Sequence, residues 1–125
     1  AATAGLDCRR GRRGSMAKFV KGDVVIVPFP FSDLTQAKRR PAVVVANLRG
    51  NDLILCQITS QTVSDEYAIN IDNSDFSTGG LNQISNIRPN RLFTADESII
   101  LYKAGQLIPE KLAEVIVKII EILQQ

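Results

Sequence analysis

Apolar residues fall in short, dense runs through most of the chain. Runs of this kind, rich in β-branched residues and bounded by Pro, Asp, Asn and Gly, are typical of β-strands. Three of them share one stretch: Val24–Phe29, Ala42–Ala46 and Leu53–Ile58. Their short connections favour antiparallel pairing of successive strands. Because Ala42–Ala46 is apolar at every position, we expect it to be a central strand covered on both faces.

The sequence beyond the third run predicts shorter strands and loops. Residues 67–72 alternate between apolar and polar or small side chains, which indicates a half-buried strand. Residues 73–80 are rich in turn formers and predict a loop. Two further runs predict strands: Leu81–Arg88, which Pro89 interrupts, and Ile99–Ala104, which Gly105 closes.

The C-terminal segment has helical periodicity. Pro109 stands where a first helical residue is expected, because proline suits the first turn of a helix. Apolar residues follow at helical spacing and should pack on the sheet or on a partner: Leu112, Val115, Ile116, Ile119, Ile120 and Leu123. The predicted fold class is α+β and mostly β, with a small, twisted, mostly antiparallel sheet of about five to seven strands and one C-terminal helix.

Length, composition and charge indicate one folded domain. The chain has 125 residues and 45% hydrophobic content, enough for a core and too apolar for a disordered protein. No apolar run approaches the roughly 20 residues that span a bilayer, so a soluble protein is expected. The net charge of +2 comes from four arginines within residues 1–15, and from Met16 onward 11 basic residues face 12 acidic ones. Any polyanion site must therefore be a local patch.

Residues 1–15 differ from the rest of the chain. They lack hydrophobic periodicity, and Gly14-Ser15-Met16 looks like a cloning junction before a native start. We expect residues 1–15 to be an appended leader and residues 16–125 to be the single domain. A native basic arm that binds RNA is the alternative.

The cysteine and histidine content narrows the possible chemistry. Cys8 lies in the leader and Cys56 in a predicted strand, which argues against a disulfide framework and favours a reducing cytoplasm. The chain contains no histidine. A zinc site or a Cys/His nucleophile is therefore not expected, and any catalysis must work without imidazole.

Polar groups stand at the ends of the predicted strands. Arg40 precedes Pro41 at the start of the second run, and Thr59, Ser60 and Gln61 follow the third. In antiparallel strands these two positions lie at the same end of the sheet, so a cation and two hydroxyls should share one rim. Residues 32–39 form a polar loop longer than most hairpin connections, which favours a functional flap over a simple solvated turn.

Residues 22–61 resemble the MazF/PemK family of toxin endoribonucleases from bacterial toxin–antitoxin pairs. The resemblance lies in an ordered set of pieces: Gly22-Asp23 opening the first strand, the Phe29-Pro30 exit, the ten-residue step from Pro30 to Arg40, Arg40-Pro41 before an apolar strand, and Thr59-Ser60-Gln61 closing the next.

The resemblance implies an SH3-like barrel that forms a homodimer with an RNA groove at its interface. It implies a cytoplasmic, sequence-selective endoribonuclease that needs no metal or other cofactor and that a cognate antitoxin silences. Single-stranded RNA, such as mRNA, would be cut by 2′-hydroxyl attack to leave 2′,3′-cyclic phosphate and 5′-hydroxyl ends. In this family likeness Arg40 and Thr59 take the positions of the catalytic pair, and Ser60 and Gln61 those of groove-lining neighbours.

The residue types suit this chemistry. A guanidinium fork matches two phosphoryl oxygens as negative charge builds on phosphorus, and a hydroxyl can donate to a phosphate oxygen. Outside the resemblance, Arg40 would be a surface arginine and Thr59 an ordinary strand residue. Lys38 and Arg39 would add phosphate contacts or be solvated surface. The candidates for base selection are Phe31, Gln36, Gln61 and Gln83.

Two positions depart from the family pattern. Thr35 stands where an acidic residue often precedes Gln36, and Asn82-Gln83 stands where some members carry an acidic residue as a proposed general base. An amide cannot accept that proton, so the base is unassigned. Loop carboxylates that would substitute for it, or be ordinary turn residues, are Asp33, Asp65, Glu66 and Asp75.

Two other functions fit a related fold. A CcdB-like gyrase poison would act through protein contacts of the C-terminal helix and would not need a phosphate clamp. An RNA-binding relative without catalysis would account for the missing acidic residue at Asn82.

Overall fold

The computed structural model describes residues 19–29, 38–60 and 66–125, with the backbone alone at Phe29. Several predictions fall outside these residues: the leader at 1–15, most of the 32–39 loop, Phe31, Asp33, Thr35, Gln36, Gln61 and Asp65.

Seven strands and one helix make up the described chain. The elements are β1 (Asp23–Phe29), β2 (Lys38–Asn47), β3 (Asp52–Thr59), β4 (Ile69–Ile71), β5 (Phe76–Gly79), β6 (Ser85–Asp96), β7 (Tyr102–Leu107) and α1 (Pro109–Leu123), with short 3₁₀ turns at Asn73–Asp75 and Glu97–Ile99. The strands form one antiparallel sheet in the order β4-β6-β3-β2-β1-β7-β5. The two edge strands β4 and β5 are joined by one short segment, and the sheet curls into a half-barrel. The predicted fold class is confirmed.

Each face of the sheet carries its own hydrophobic core. The helix-side core consists of Val24, Val43, Val45, Cys56, Ile58, Ile69, Ile71, Ile87, Leu107, Val115 and Ile119. The far-side core consists of Val25, Val27, Ala42, Val44, Leu53, Leu55 and Ala95, with Phe19, Phe93, Ile99 and Ile100 packed against it. Residues 42–45 supply both cores by alternation, which confirms the prediction that this strand is central and covered on both faces.

The helix begins at Pro109, as predicted, and packs one face on the sheet. Val115 and Ile119 are buried in the helix-side core. Ile120 is 47% exposed and Leu123 is 74% exposed, so only part of the predicted stripe contacts the sheet.

Strand β6 runs through Pro89, and the predicted interruption there is wrong. The ladder between β3 and β6 pairs Ile58 with Ile87 and next pairs Cys56 with Leu92. Pro89 therefore lies in an irregular stretch of β6 where no ladder donor is required, and it is buried. The strand resumes beyond this stretch and ends at Asp96.

Three other predicted boundaries are corrected. β2 already begins at Lys38, so Lys38 and Arg39 belong to a strand and not to the predicted loop. Residues 73–80 are not all loop. Asp72 and Asp75 form a capping box around a 3₁₀ turn, since each carboxylate accepts a backbone N–H from the other end of the turn, and β5 follows.

Gly105 was predicted to close the strand at Ile99–Ala104, but it lies inside β7. A Cβ atom there would be 2.5 Å from the carbonyl oxygen of Thr78 and 2.9 Å from the amide nitrogen of Gly80. Glycine therefore allows β5 to pair closely with β7 at this point.

Candidate functional site

Arg40 and Thr59 lie on neighbouring strands at one end of the sheet. The register between β2 and β3 pairs Ala42 with Gln57. Arg40 and Thr59 each lie two residues beyond this pair toward the strand ends, and strand alternation places both on the same face as Ala42 and Gln57. Both side chains are only partly buried. The prediction that the start of the second strand and the end of the third share one rim is confirmed.

Two asparagines continue the line of Arg40 and Thr59 across the sheet. Thr59 pairs with Asn86 on β6, and Asn86 pairs with Asn70 on edge strand β4. Paired residues present their side chains on the same face, so these four residues form what we call the polar row. Directly behind it, Ile58, Ile87 and Ile69 point into the helix-side core.

An open cleft of about 250 Å³ lies at the ends of β2 and β3. It is lined by Arg39, Arg40, Pro41, Ile58, Thr59, Ser60, Leu81, Asn82, Gln83 and Ser85. Five predicted site residues are thus brought together: Arg39, Arg40, Thr59, Ser60 and Gln83. Lys38 is exposed at the start of β2 and does not line the cleft. Gln36 and Gln61 lie outside the described residues.

The family model of PemK-like, MazF-like toxins of type II toxin–antitoxin systems matches residues 20–123. The chain belongs to this family.

Solved structures of such toxins have the same fold at low sequence identity. An endoribonuclease in complex with its cognate antitoxin from a mycobacterial species gives a TM-score of 0.67 at 12% identity, over 84% of this chain and 94% of that one. The Mycobacterium tuberculosis toxin MazF-mt6 gives 0.64 at 15% identity, over 82% and 96%. MazF from Deinococcus radiodurans gives 0.66 at 21% identity, over 84% and 96%. A search of the curated proteins finds no match.

The charged side chains that line the cleft in the described part of this MazF-like toxin are all positive. Arg39 and Arg40 contribute guanidinium groups, and no lining residue within the described chain carries a carboxylate. Asn82 and Gln83 are exposed amides that also line the cleft. The described part of the cleft therefore attracts an anion and offers no acidic group to take up a proton.

The two described carboxylates that were considered as substitutes for the missing base lie elsewhere. Asp75 accepts the backbone N–H of Asp72 and lies 3.8 Å from the ammonium group of Lys111. Glu66 lines a different cavity, beside Tyr67 and Lys118. Neither lines the cleft, and the interpretation of both as ordinary structural residues is the one that fits their positions.

Cys56, which lies in the helix-side core close to the cleft, is not a nucleophile. Burial raises the pKa of its thiol to about 12, and the thiol donates a hydrogen bond to the carbonyl of Arg88 at 3.0 Å. At neutral pH the group is a protonated, buried thiol.

Sequence reasoning missed three polar residues of this toxin's rim: Asn70, Asn86 and Ser85. Ser85 is buried, lines the cleft and donates a hydrogen bond to the carbonyl of Gln83 at 3.0 Å. The alternation of polar and apolar residues at 85–88 was the signal that could have revealed Asn86. Ile87 faces the helix-side core, so Asn86 next to it must face the other side of the sheet.

In the described part of the toxin, no helix has the length and apolarity needed to cross a membrane. No three cysteine or acidic side chains of the described residues are grouped closely enough to hold a metal ion.

Proposed function

We propose that this toxin is an endoribonuclease that cleaves single-stranded RNA at the rim formed by Arg40 and Thr59. The observation that supports this most is a guanidinium and a hydroxyl from neighbouring strands that line one open cleft, together with a second arginine and no described carboxylate. Such a site suits a phosphodiester, which is an anion with several acceptor oxygens.

The proposed reaction is an internal transfer of the phosphoryl group. The 2′-oxygen of the ribose forms a new bond to the adjacent phosphorus, and the bond from phosphorus to the 5′-oxygen breaks. The 2′-hydroxyl loses its proton, and the departing 5′-oxygen gains one. The products are a 2′,3′-cyclic phosphate and a 5′-hydroxyl, and no water is consumed in this step.

Arg40 and Thr59 have separate roles in this scheme. Arg40 donates two parallel N–H groups to the non-bridging oxygens, which carry more negative charge in the five-coordinate transition state than in the substrate. By analogy with single oxyanion-hole donors, this contributes about 3 to 4 kcal/mol to lowering the barrier. Thr59 donates its hydroxyl to a phosphate oxygen or orients the 2′-hydroxyl. Arg39 binds a neighbouring phosphate.

The proton acceptor is not among the described lining residues. Asn82 and Gln83 are amides and cannot serve. The guanidinium of Arg40 has no acceptor for a proton, so Arg40 acts electrostatically. The carboxylates of Asp33 and Asp65 are the candidates outside the described residues.

Partners are proposed on the same basis. One structurally similar endoribonuclease is in complex with its cognate antitoxin. We propose that an antitoxin silences this toxin by placing an acidic segment over Arg39 and Arg40, where it would exclude RNA. We also propose that the toxin works in the cytoplasm as a homodimer whose interface extends the RNA groove.

The decisive experiment is end mapping on a long, defined single-stranded RNA in EDTA. The wild-type protein should cut at few sites and leave cyclic phosphate and 5′-hydroxyl ends. Arg40→Ala should cut at least 100-fold more slowly and lose growth arrest in cells, whereas Arg49→Ala, an exposed arginine in the turn after β2, should match the wild type. Undiminished cleavage by Arg40→Ala would remove the assignment, and RNA binding without cuts would favour a non-catalytic relative.

A further inference from the structure

The polar row extends beyond the residues that the proposed chemistry uses. Arg40 and Thr59 account for two of its four positions, and Asn86 and Asn70 occupy the next two strands on the same face. Neighbouring strands are about 4.8 Å apart, so Asn86 lies one strand and Asn70 two strands from Thr59. A nucleotide bound to Arg40 and Thr59 through its phosphate would have these amides beside it.

The amide side chains suit a nucleobase better than a phosphate. Each carries a donor and an acceptor, whereas a phosphate offers acceptors alone. The edges of unpaired bases present donors and acceptors side by side, and asparagine is one of the residues that recognise them with two hydrogen bonds. The change from cation and hydroxyl to two amides along the row is therefore a change from phosphate-binding groups to base-binding groups.

The surroundings of Asn86 add surface on which a base could rest. Ile84, two residues before it, is 64% exposed, and this segment adjoins the cleft through Gln83 and Ser85. Asn70 is exposed on its edge strand, so the outer end of the row is open to a ligand.

We propose that Asn86, assisted by Asn70, reads one base of the RNA next to the scissile phosphate. This inference rests on the proposed nuclease function, and it makes Asn86 a specificity residue that contacts substrate without taking part in bond breaking. Removing its amide should relax the choice of base at one position and leave the choice at the other positions unchanged.

The test is cleavage of a single-stranded RNA pool with randomised sequence, followed by sequencing of the ends. Asn86→Ala should still cut, with base discrimination at one position next to the cut reduced about tenfold or more, and Asn70→Ala should show a smaller loss at the same position. Asn51→Ala, in the turn at the opposite end of β3, is the matched control and should keep the wild-type preference. An unchanged preference in Asn86→Ala, or a loss spread equally over all positions, would overturn the inference.

A binding experiment distinguishes failure of this inference from failure of the proposed function. The same pool made with 2′-fluoro ribose has no 2′-hydroxyl to attack, and bound sequences can be recovered from wild type and Asn86→Ala. If wild type fails to cut normal RNA, the nuclease proposal fails. The inference then stands only if wild type selects a base that Asn86→Ala does not, and it fails if the bound sequences are random or the same for both proteins. Melting temperatures of all variants verify that each is folded.

Discussion

Arg40 and Thr59 line one cleft, and each lies two residues beyond Ala42 and Gln57, which are paired between β2 and β3. Strand alternation places both residues on the face of that pair. A guanidinium and a hydroxyl on one face of neighbouring strands can bind different oxygens of one phosphate group. The sheet itself sets this arrangement, because both residues belong to strands whose remaining positions are fixed by two hydrophobic cores.

The hydroxyl of Thr59 can be tested without changing the shape of the side chain. Thr59→Val should reduce cleavage of RNA by about tenfold to a hundredfold, because a hydrogen bond to a charged group contributes about 1.5 to 3 kcal/mol. Thr59→Ser keeps the hydroxyl and should stay close to the wild-type rate. Single-turnover rates on one oligonucleotide provide the measurement, and equal rates for the valine and wild-type proteins would exclude a role for the hydroxyl.

The elements that follow local rules were predictable from sequence, and the irregular ones were not. Residues 42–46 were identified as a central strand and Pro109 as a helix start, because dense β-branched runs and an N-terminal proline are local signals. The path of β6 through Pro89 depends on a skip in its pairing with β3, which is a property of two strands together. No local pattern reveals such a skip.

The candidate site shows the same difference between features that local sequence reveals and features that depend on strand pairing. Arg40 and Thr59 were predicted to share a rim because short connections indicated antiparallel strands, and their role as a catalytic pair was implied by the family resemblance. Asn86 was missed, since its position beside Thr59 depends on the register between β3 and β6, two strands that are far apart in the sequence. The proton acceptor could not be assigned, because Asn82 replaces the expected acid and the remaining candidate carboxylates lie outside the described residues.

Asp23 should matter for stability and not for catalysis. Its carboxylate is buried and accepts hydrogen bonds from the backbone N–H of Val20 at 3.0 Å and from the side-chain amide of Gln106 at 3.2 Å. The ammonium group of Lys103 lies 3.2 Å away. Asp23→Asn removes the charge and turns an N–H₂ group toward these donors, so the free energy of unfolding should fall by about 2 to 4 kcal/mol.

Denaturant titration measures the effect of Asp23→Asn, and two controls define its origin. Lys103→Met should cost less than about 1 kcal/mol, because the lysine side chain is 42% exposed and its ion pair is partly screened. Asp23 lies at the start of β1 and pairs with Gln106, whereas Arg40 pairs with Val27 near the other end of that strand. The cleavage rate per folded molecule should therefore be unchanged, and a large loss of rate at full folding would contradict this account.

Gly105 should resist replacement by alanine although its neighbours in β7 are ordinary strand residues. The added methyl group would lie 2.5 Å from the Thr78 carbonyl oxygen and 2.9 Å from the Gly80 nitrogen, and both are backbone atoms that move only with β5. We expect Gly105→Ala to cost more than about 2 kcal/mol, in the range of an overpacked core.

Gly50→Ala is the comparison for Gly105→Ala. Gly50 has a φ of 78°, and no atom lies within 4 Å of the position that a Cβ would occupy there. Alanine at this position therefore meets backbone strain of about 1 to 2 kcal/mol and no clash. Thermal or denaturant unfolding of both variants should rank Gly105→Ala as the more damaging. The reverse ranking would show that β5 can move away from β7 at little cost.

Cys56 predicts a specific dependence of stability on pH. Burial raises the pKa of its thiol to about 12 in the folded protein, with the Arg88 carbonyl as its hydrogen-bond acceptor, whereas an exposed cysteine has a pKa of about 8.5. The folded state therefore keeps a proton that the unfolded chain releases. The contribution of the thiol to stability is complete below about pH 8.5 and is lost as pH rises toward 12, by up to about 1.36 kcal/mol per pH unit.

In a Cys8→Ser background, the difference in unfolding free energy between Cys56 and Cys56→Ala proteins should shrink as pH rises from about 8.5 to about 10, and groups common to both proteins cancel. At about pH 8 a thiol reagent should label Cys56 only as fast as the protein unfolds. A difference that does not change with pH, or rapid labelling of the folded protein, would mean that solvent reaches this part of the helix-side core.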